Sequence, residues 1–591
     1  MTSNKFKKVF RRRYLKRLSQ FEQLSDQTSD NFEKNFIKRL SRLENVRLFT
    51  ATWILGLSLL IFLVAVQTLN LSNYFQTLQP VPGGNLNEGI LGGYSNSNPI
   101  YASSAVDQSV SSLVFAGLMR YDNNNHLVGS LASSYTVDSS GLNYTFILRP
   151  NLKWQDGKKL TSSDVKFTFD LIKSPDAQSP LFSSWQGITI TTPNISTVVF
   201  SLPNPLSSFP YSLTTGILPE HILKSIQPAN MRTIDFDTIT PIGSGPFKLT
   251  AVKTSGITPQ TSKQTIELSA YEDYWQGRPK LDQIRIQAFN DQSAMTSSFN
   301  SKTIDSMSGL TDFPASKNKN TIIYSFPLTA ANMIFFKTSS GVLADKNVRN
   351  ALLQATNQKQ IISSLSYKTK AVNEPLLEDQ LGYNKGYAQH SFDLSNANTI
   401  LNSDGWIMSK DGYRYKGGTK LSISLTSSDS SESLRNANLL KSQWKAVGLD
   451  LKLNILNESN LQYSISYHNY QALLYGISLG VDPDVYVYWD SSQADPRSPF
   501  RLNLSEYSSA SADGSLQAGR TRLDPGLRVI KYQPFLTAWQ SDAPAVGLYQ
   551  PRYLYLSNSK INGLAASSIN SSTDRYNNVV NWEIRQAKVT N

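Results

Sequence analysis

The sequence contains no cysteine among its 591 residues. This absence excludes disulfide bonds, thiolate metal ligands, a cysteine nucleophile and a thioether-linked lipid anchor. Histidine is nearly absent too, since only His126, His221, His390 and His468 occur and no two of them stand at a metal-ligand spacing. We therefore expect neither a zinc nor a haem enzyme and predict no cofactor, although carboxylate sites for calcium or magnesium stay open.

Charge is distributed unevenly along the chain. The formal net charge is +13, from 57 Lys+Arg and 44 Asp+Glu, and residues 1–47 alone hold 13 basic and 5 acidic side chains. The remaining 544 residues therefore carry only +5. A basic tail on a nearly balanced body argues against a nucleic-acid partner, for which basic residues across the body are expected.

The segment after the tail is long and apolar. No charged residue occurs between Leu48 and Asn87, and Leu48–Val66 reads LFTATWILGLSLLIFLVAV. About 20 apolar residues cross a hydrocarbon core of ~30 Å as a helix. A cleaved signal peptide needs a short leading region and a small-x-small site, but 47 residues precede this segment and AVQTLNLS ends it. The sequence predicts an uncleaved anchor.

The basic tail sets the expected orientation of that anchor. Lys and Arg concentrate before the span and form no comparable cluster after it, which places the N-terminus in the cytoplasm and the body outside the cell or in the periplasm. Basic residues beside a span typically meet anionic lipid headgroups. Residues 70–87, rich in Asn, Gln, Pro and Gly, are predicted to form a stalk.

The outer body shows the alternation of an α/β protein. Thr161–Asp164 has capping-box spacing and precedes a helical pattern. Later, Leu434, Ala437, Leu440, Trp444 and Val447 recur at intervals of three and four, and Gly448 stands where a left-handed helix end is expected. The segment LDLKLNIL that follows alternates as a half-buried strand does.

The sequence contains one incomplete match to a catalytic motif. Gly476, Ser478 and Gly480 fit G-x-S-x-G, but no histidine follows the serine, and Val-Asp-Pro-Asp predicts a turn where the nucleophile elbow requires a helix. No P-loop, G-x-G-x-x-G or H-E-x-x-H is present. Nothing selects a pair of acids for glycosidase chemistry. The sequence indicates a protein that is not an enzyme.

A series of segments in the outer body occurs in a recognisable order. The segments are GLMRYD, LASSYTVDSSGLNYTFILRPNLKWQDGKKLTSSDVKF, ILPEHIL, GSGPFKL, AYEDYWQGRPKLDQIRI, NVRNALLQAT, DLSNANTILNSDGW, KAVGLDLKL, VDPDVYVYW and DAPAVGLYQP. In this order they resemble the bacterial solute-binding proteins of family 5, the receptors of peptide-type ABC importers. The resemblance covers residues 88–565, and single segments are weak whereas their common order is specific.

The resemblance implies a two-lobed α/β clamshell of the periplasmic-binding-protein type (type II, with an extra subdomain), preceded by one transmembrane helix. Lobes of this kind close over a ligand held between them. The implied limits are a basic cytoplasmic tail (1–47), a transmembrane helix (48–69), a stalk (70–87), lobe I (88–118, 241–320 and 541–591), subdomain II (119–240) and lobe III (321–540).

The resemblance also suggests ligand contacts. The family's D-P-D segment corresponds to Asp482 and Asp484, and the other candidates are Tyr94, Asn96, Trp185, Tyr475 and Trp489. In dipeptide and oligopeptide receptors an acid about three residues earlier pairs with the ligand's amino group, but Ser478-Leu-Gly480 stands there. Either Asp482 or Asp484 takes over, or the ligand has no free N-terminus at that point. For each aromatic side chain, core packing is an equal alternative.

The implied function is that of a membrane-anchored extracellular receptor which delivers oligopeptides to ABC permease subunits. The alternatives are a receptor for another solute, such as an oligosaccharide or a metal chelate, and an anchored sensor or peptide chaperone without transport. An anchored hydrolase is the least favoured hypothesis. Replacing a lipid anchor by a protein span keeps the receptor at high effective concentration near its permease.

Overall fold

A computed structural model describes residues 47–255, 263–310, 312–313, 321–495, 497–498 and 500–590. Apart from Arg47, the predicted basic tail lies outside the described residues. Among the described residues, contacts separate two compact units, one of residues up to Gln79 together with the C-terminal residues from Gln586, and the other of Pro80–Arg585.

The helices and strands are numbered along the described chain. The α-helices are α1 (Arg47–Phe75), α2 (Ala105–Val114), α3 (Ser162–Ile172), α4 (Glu220–Leu223), α5 (Asp235–Thr238), α6 (Gln292–Asn300), α7 (Lys346–Gln354), α8 (Gln358–Ser363), α9 (Leu394–Ser403), α10 (Ser431–Lys445), α11 (Glu458–Ser466), α12 (Tyr486–Trp489), α13 (Ala510–Arg520) and α14 (Pro525–Asp542). The strands are β1 (Gln76–Val81), β2 (Asn85–Leu91), β3 (Met119–Tyr121), β4 (Leu127–Gly129), β5 (Ala132–Val137), β6 (Asn143–Leu148), β7 (Thr189–Asn194), β8 (Thr197–Ser201), β9 (Phe247–Ser255), β10 (Lys263–Ala270), β11 (Gln283–Phe289), β12 (Ser306–Leu310), β13 (Ile322–Pro327), β14 (Ala330–Phe336), β15 (Ile407–Met408), β16 (Arg414–Lys416), β17 (Thr419–Lys420), β18 (Ser422–Ser428), β19 (Asp450–Leu456), β20 (Ala472–Ser478), β21 (Ala545–Tyr549), β22 (Arg552–Ser557) and β23 (Arg585–Thr590).

Helix α1 contains the predicted apolar span. Its segment Phe49–Thr68 has 20 residues and a mean hydropathy of 2.3, and none of it is buried. Length and composition are sufficient to cross a membrane. In the region predicted as a stalk, α1 continues to Phe75, and β1 and the start of β2 follow. Strand β2 begins at Asn85 because it pairs with β11, which buries Leu86.

The first large sheet has seven strands in the order β13-β22-β12-β2-β11-β10-β9. Its centre is parallel, with β2 between β11 and β12, and its outer strands are antiparallel. A separate antiparallel sheet, β5-β6-β8-β7, is built from residues 132–201. One continuous apolar core joins the two sheets, and we call residues 85–327 and 552–582 together the first lobe.

The second lobe, residues 330–549, is built on a five-stranded sheet in the order β19-β18-β20-β14-β21. Strand β14 shows why this sheet is buried on both faces. Its residues Ala331, Met333 and Phe335 pack in one apolar cluster, while Ile334 and Phe336 pack in another. Alternate residues of a strand point to opposite faces, so a run of apolar residues is expected here.

The chain crosses between the lobes twice, at residues 328–329 and 550–551. Strand β13 pairs with β22 in the first lobe, and β14 pairs with β21 in the second. Leu328 donates its backbone N–H to the carbonyl of Pro551 (3.0 Å), which ties the two crossings together. Both crossings come later in the chain than the predicted limits at 320/321 and 540/541. Strand β13 still belongs to the sheet of the first lobe, and β21 still belongs to the sheet of the second lobe. The division into domains stays a prediction.

The local patterns singled out in the sequence form the predicted elements. The backbone N–H of Thr161 donates to Asp164 at 2.8 Å, which completes the capping box of α3. In α10, Ala437, Leu440 and Trp444 are buried, whereas Leu434 in the first turn is 41% exposed. Gly448 has φ +81° and leads into β19.

Candidate ligand-binding cleft

We call the space between the lobes the cleft. One side of it is closed by the crossing that contains Thr329, which we call the hinge. The backbone N–H groups of Leu479 and Gly480, which follow β20, both donate to the carbonyl of Thr329 (2.8 and 3.1 Å). The Thr329 hydroxyl donates to the side-chain oxygen of Asn570 in the first lobe at 2.6 Å. The D-P-D segment is thus fixed directly against the crossing between the lobes.

At another point the lobes touch through a pair of serines, and we call this contact the latch. Ser207 donates both its backbone N–H and its hydroxyl to the carbonyl of Arg520, each at 3.0 Å. Ser208 donates its hydroxyl to Asp484 Oδ2 at 2.9 Å. The serines belong to the first lobe and their acceptors to the second, so the lobes are closed upon each other.

The second-lobe wall of the cleft carries two arginine–aspartate pairs. Asp482 accepts from both terminal nitrogens of Arg528, at 2.8 and 2.6 Å, in a nearly buried bidentate pair. Asp484 lies 3.1 Å from Arg520, whose guanidinium stacks over the Tyr486 ring at 4.1 Å. The neighbouring aspartate raises the pKa of Arg528, against the opposing effect of burial. Both acids of the D-P-D segment are therefore neutralised within their own lobe.

Two tyrosines of the first lobe face this wall. Tyr121 ends β3, Tyr211 lies in the 3-10 helix Phe209–Thr214, and their ring centroids are 6.4 Å apart. Burial, together with the Asp482 carboxylate, raises the pKa of Tyr211 to about 12. Burial also raises the pKa of Tyr121, and smaller contributions in the same direction come from Asp574, Tyr211 and Asp482. Both phenols stay neutral at physiological pH and can donate hydrogen bonds.

A cavity of about 350 Å³ lies within the first lobe beside Tyr121. Its lining includes Arg120, Tyr121, Thr214, Asn570 and Asp574. Tyr121 is close enough to Asp482 of the second lobe for that carboxylate to raise its pKa, and Asn570 binds the hinge threonine. The cavity therefore adjoins the cleft at its hinge side.

Two of the sequence-predicted contacts, Tyr94 and Asn96, take part in the packing of the first lobe. The Tyr94 hydroxyl donates to the carbonyl of Thr238 at 2.9 Å. Asn96 donates its side-chain N–H to Asp237 at 3.1 Å. Asp237 is buried, which raises its pKa to about 6 although hydrogen bonds from Asn98 and Asn96 oppose the shift.

The aromatic candidates lie in different surroundings. Trp185 is 2% exposed and stacks on Phe169, with ring centroids 4.1 Å apart, in the core of the first lobe. Trp489 is fully buried near Phe335 and Trp539. Tyr475 is half-buried on β20 and accepts a hydrogen bond from Gln462 at 3.2 Å. Contact of these side chains with a ligand stays a prediction.

The structure thus brings Asp482 and Asp484 to the cleft and adds residues that the sequence analysis did not single out. These additional residues are Arg120, Tyr121, Ser207, Ser208, Tyr211, Arg520 and Arg528. Arg120 and Tyr121 belong to the GLMRYD segment, which the sequence analysis used for the family resemblance and not as a ligand contact. Arg520 and Arg528 gave no signal, because their partners Asp484 and Asp482 lie 36 and 46 residues away in the chain.

The serine of the G-x-S-x-G match has no catalytic surroundings. Ser478 is exposed at the end of β20, and a turn follows it, as the sequence predicts. The preceding histidine, His468, is buried and hydrogen-bonded to Glu506 and to the carbonyl of Arg501. Among the described residues, no group of three or more His, Asp or Glu side chains is arranged to hold a metal ion.

Two α/β lobes joined by a double crossing and closed over a cleft define a binding protein of the periplasmic type. The profile of bacterial extracellular solute-binding proteins, family 5, middle region, matches residues 126–498, which is more than half of the chain. The protein belongs to this family. It is a substrate-binding protein of the ABC-importer type.

Individual relatives agree with this assignment. The oligopeptide-binding protein AppA of Bacillus subtilis (strain 168) is 26% identical over 485 residues, which are 80% of this chain and 87% of AppA. The structure of AppA from Bacillus subtilis in complex with a nonapeptide has a TM-score of 0.68 and 25% identity, and the match covers 86% of this chain and 100% of AppA. AgaA from A. tumefacien R10, in complex with agropinic acid, has a TM-score of 0.66 at 20% identity, covering 85% and 99% of the two chains. That last likeness shows the fold alone.

Proposed function

We propose that this protein is the membrane-anchored extracellular receptor of an ABC importer, and that it captures oligopeptides between its lobes and delivers them to a permease. The observation that carries the proposal is the closed cleft, with a hinge at Thr329, a latch at Ser208 and an adjoining cavity. The likeness to AppA over nearly the whole body supports a peptide as ligand. The proposal includes no covalent chemistry, since the family consists of solute-binding proteins.

The proposed ligand is not held by its N-terminal ammonium at the D-P-D segment. A buried ammonium needs a carboxylate partner with free lone pairs. Asp482 and Asp484 already neutralise Arg528 and Arg520. A ligand amine placed there would compete with arginines that are fixed in the second lobe. Hydrogen bonds from neutral groups such as Tyr121 and Tyr211 suit peptide carbonyls instead.

The anchor is proposed to be α1, with the N-terminus in the cytoplasm and the body outside. The charge-free segment Phe49–Thr68 and the basic residues before it support this topology. Arginine at both Leu59 and Leu60 is expected to abolish membrane retention in carbonate extraction, since each costs about 3 kcal/mol at the centre of a span. The control Leu78→Arg, at an exposed position after α1, is expected to stay in the membrane. Retention of the Leu59/Leu60 variant would contradict the anchor.

A second candidate is a receptor for a compact non-peptide solute. The cavity of about 350 Å³ favours it, because a single small molecule fills such a space. The predicted contacts Tyr94, Asn96, Trp185, Tyr475 and Trp489 do not discriminate between the two ligand classes.

The experiment uses the full chain in lipid nanodiscs and two matched hexapeptide pools, one with free N-termini and one N-acetylated. Isothermal calorimetry is expected to give equal affinities for the two pools. Strict dependence on a free amine would refute the proposed role of the arginine pairs. Binding of neither pool, together with a small solute found by mass spectrometry of the purified protein, would favour the second candidate.

A further inference from the structure

Arg120 lies in the middle of β3, opposite Val128 of β4, and lines the cavity of the first lobe. It also borders a second, more polar space of about 410 Å³, which includes Asp122, Asn123 and Asn124. Arg120, Gln276, Asn577 and Val580 belong to both spaces. The guanidinium therefore stands at the boundary between the inner cavity and an outer groove.

Arg120 has no counter-ion among the described residues. Its Nη1 donates to the carbonyls of Tyr121 and Asn577, at 3.3 and 3.5 Å, which are long for such bonds. Its Nε is buried without any hydrogen-bond partner, and among the described residues only Nη1 of this guanidinium makes hydrogen bonds. Burial lowers the pKa of Arg120 more than Tyr274 and Asp122 raise it. The Nε–Nη2 edge, which binds carboxylates in a bidentate manner, is thus unoccupied by protein groups.

A second arginine adds positive charge at the same place. Arg149 bonds to the carbonyls of Ser130 and Gly129 and stacks over Trp275 at 4.2 Å, again without a carboxylate partner in the described chain. The acid that lines the cavity, Asp574, accepts from Asn570 and Ser571 and makes no ion pair with Arg120. Half-burial of these two cations without a carboxylate partner in the described chain is costly, so an anion at this position is favoured.

We propose that Arg120 binds a carboxylate of the ligand, through its Nε–Nη2 edge, in the first-lobe cavity. This inference rests on the proposed function, since it names the part of a peptide that the cavity receives. The carboxylate comes either from the peptide C-terminus or from an acidic side chain. Recognition through a carboxylate in the first lobe complements the second-lobe wall, whose acids leave no site for the amine.

The test uses the full chain in lipid nanodiscs with three N-acetylated hexapeptide pools. One pool has a free C-terminus and no acidic side chain, the second is its C-terminal amide, and the third is amidated with one glutamate. Mass spectrometry measures the retained peptides. Wild type is expected to retain a carboxylate pool about tenfold more than the neutral amide, as a charge-assisted pair implies. Retention of the first or third pool identifies the carboxylate as terminal or side-chain.

The variants separate recognition from folding. Arg120→Gln is expected to lose the preference but to keep its retention of the neutral amide, and Arg120→Lys to keep part of the preference. Arg497→Gln, whose side chain is 90% exposed on the second lobe, is the control and should behave as wild type. An unchanged preference in Arg120→Gln, or equal retention of all pools by wild type, would overturn the inference.

A second measurement decides the case in which no peptide is retained. Thermal unfolding in sodium succinate and in sodium chloride of equal ionic strength compares wild type with Arg120→Gln. If succinate raises the unfolding temperature of the wild type but not that of Arg120→Gln, the carboxylate site is supported. The lack of peptide retention then contradicts only the proposal that the ligand is a peptide. The same rise in both proteins, or no rise in the wild type, would overturn the site.

Discussion

Asp482 and Arg528 form a nearly buried pair at the wall of the cleft, and each neutralises the other's charge. The two hydrogen bonds, at 2.8 and 2.6 Å, keep the guanidinium plane fixed against the carboxylate. In the neighbouring pair, Asp484 additionally accepts from Ser208 of the opposite lobe. One aspartate therefore shapes the wall while the other takes part in closing it.

Removal of the carboxylate from the first pair tests its structural contribution. Asp482→Asn leaves Arg528 buried without its counter-charge, so we expect the free energy of unfolding to fall by about 3–5 kcal/mol. Chemical denaturation of the full chain, followed by tryptophan fluorescence, measures it. Asp495→Asn, which breaks the exposed pair with Arg497, is the control and should leave the denaturation midpoint unchanged. Similar midpoints for all three proteins would show that the buried pair contributes little.

Glu374 is a buried acid that gives the second lobe a pH-dependent stability. It is fully buried, its Oε1 has no hydrogen-bond partner, and its Oε2 accepts one long bond from Asn384 (3.4 Å). Burial raises its pKa from 4.5 to about 7. The folded protein therefore prefers the protonated form, and stability present below pH 4.5 is lost as the pH rises through about 7.

Glu374→Gln is accordingly expected to stabilise the protein at pH 8, by on the order of 1–3 kcal/mol, and to have little effect at pH 4.5. Thermal unfolding between pH 4.5 and pH 8 measures the difference. The exposed Glu458→Gln should keep the pH profile of the wild type. If Glu374→Gln is destabilised equally at both pH values, the carboxyl is not a source of the pH dependence.

At the scale of elements, the latch joins the 3-10 helix at residues 209–214 to α12 and α13 of the second lobe. Ser208 lies just before that 3-10 helix, Asp484 just before α12, and Arg520 at the end of α13. The contacts consist of three hydrogen bonds, which is a small barrier to opening. Short, polar contacts of this kind suit a cleft that must open to release its ligand.

Ser208→Ala is expected to weaken the closed state by about 1 kcal/mol, the value of one hydrogen bond, and so to lower ligand affinity roughly fivefold. The lack of native cysteine allows site-specific labels at Thr191→Cys and Gln533→Cys, and energy transfer between them reports closure. Ser212→Ala removes a hydroxyl that bonds only to the carbonyl of Phe209 and serves as the control. An unchanged distance distribution in Ser208→Ala would show that the latch does not set the degree of closure.

At the scale of the whole molecule, closure depends on two crossings that share a small set of hydrogen bonds. Each lobe has its own apolar core on its own sheet, so the lobes can rotate as bodies while the crossings bend. Thr329 lies between β13 and β14 and joins the lobes, since it binds the residues after β20 in the second lobe and Ile569 and Asn570 in the first. A change at the hinge is thereby transmitted to the D-P-D segment.

Hydrogen exchange of the full chain, measured by mass spectrometry with and without the hexapeptide pools, tests this arrangement. Protection is expected to increase at residues 328–329 and 479–484 and at the latch, because ligand binding stabilises the closed state. Helices α7 and α9 pack on the apolar cluster of the second lobe that contains Ile334 and Phe336. They are expected to show little change and serve as an internal control. A uniform increase over both lobes would indicate general stabilisation without a hinge.

Much of this protein follows from local sequence. The charge-free segment, the lack of cysteine, the scarcity of histidine and motifs such as the capping box before α3 can be read directly from the chain. Their effects on a helix, a turn or a metal site need no partner from elsewhere. The order of the family motifs extended these signals to the two-lobed fold, which the structure and the relatives confirm.

The character of the cleft was decided only by the tertiary structure. Asp482 pairs with Arg528, which lies 46 residues further along the chain. Ser208 bonds to Asp484, which lies 276 residues further along and on the opposite lobe. No local pattern shows that an aspartate is already neutralised or that Arg120 stays without a counter-ion. The charge that a ligand meets depends on which distant side chains the fold brings within a few ångströms, because electrostatic pairing acts through space and not along the chain.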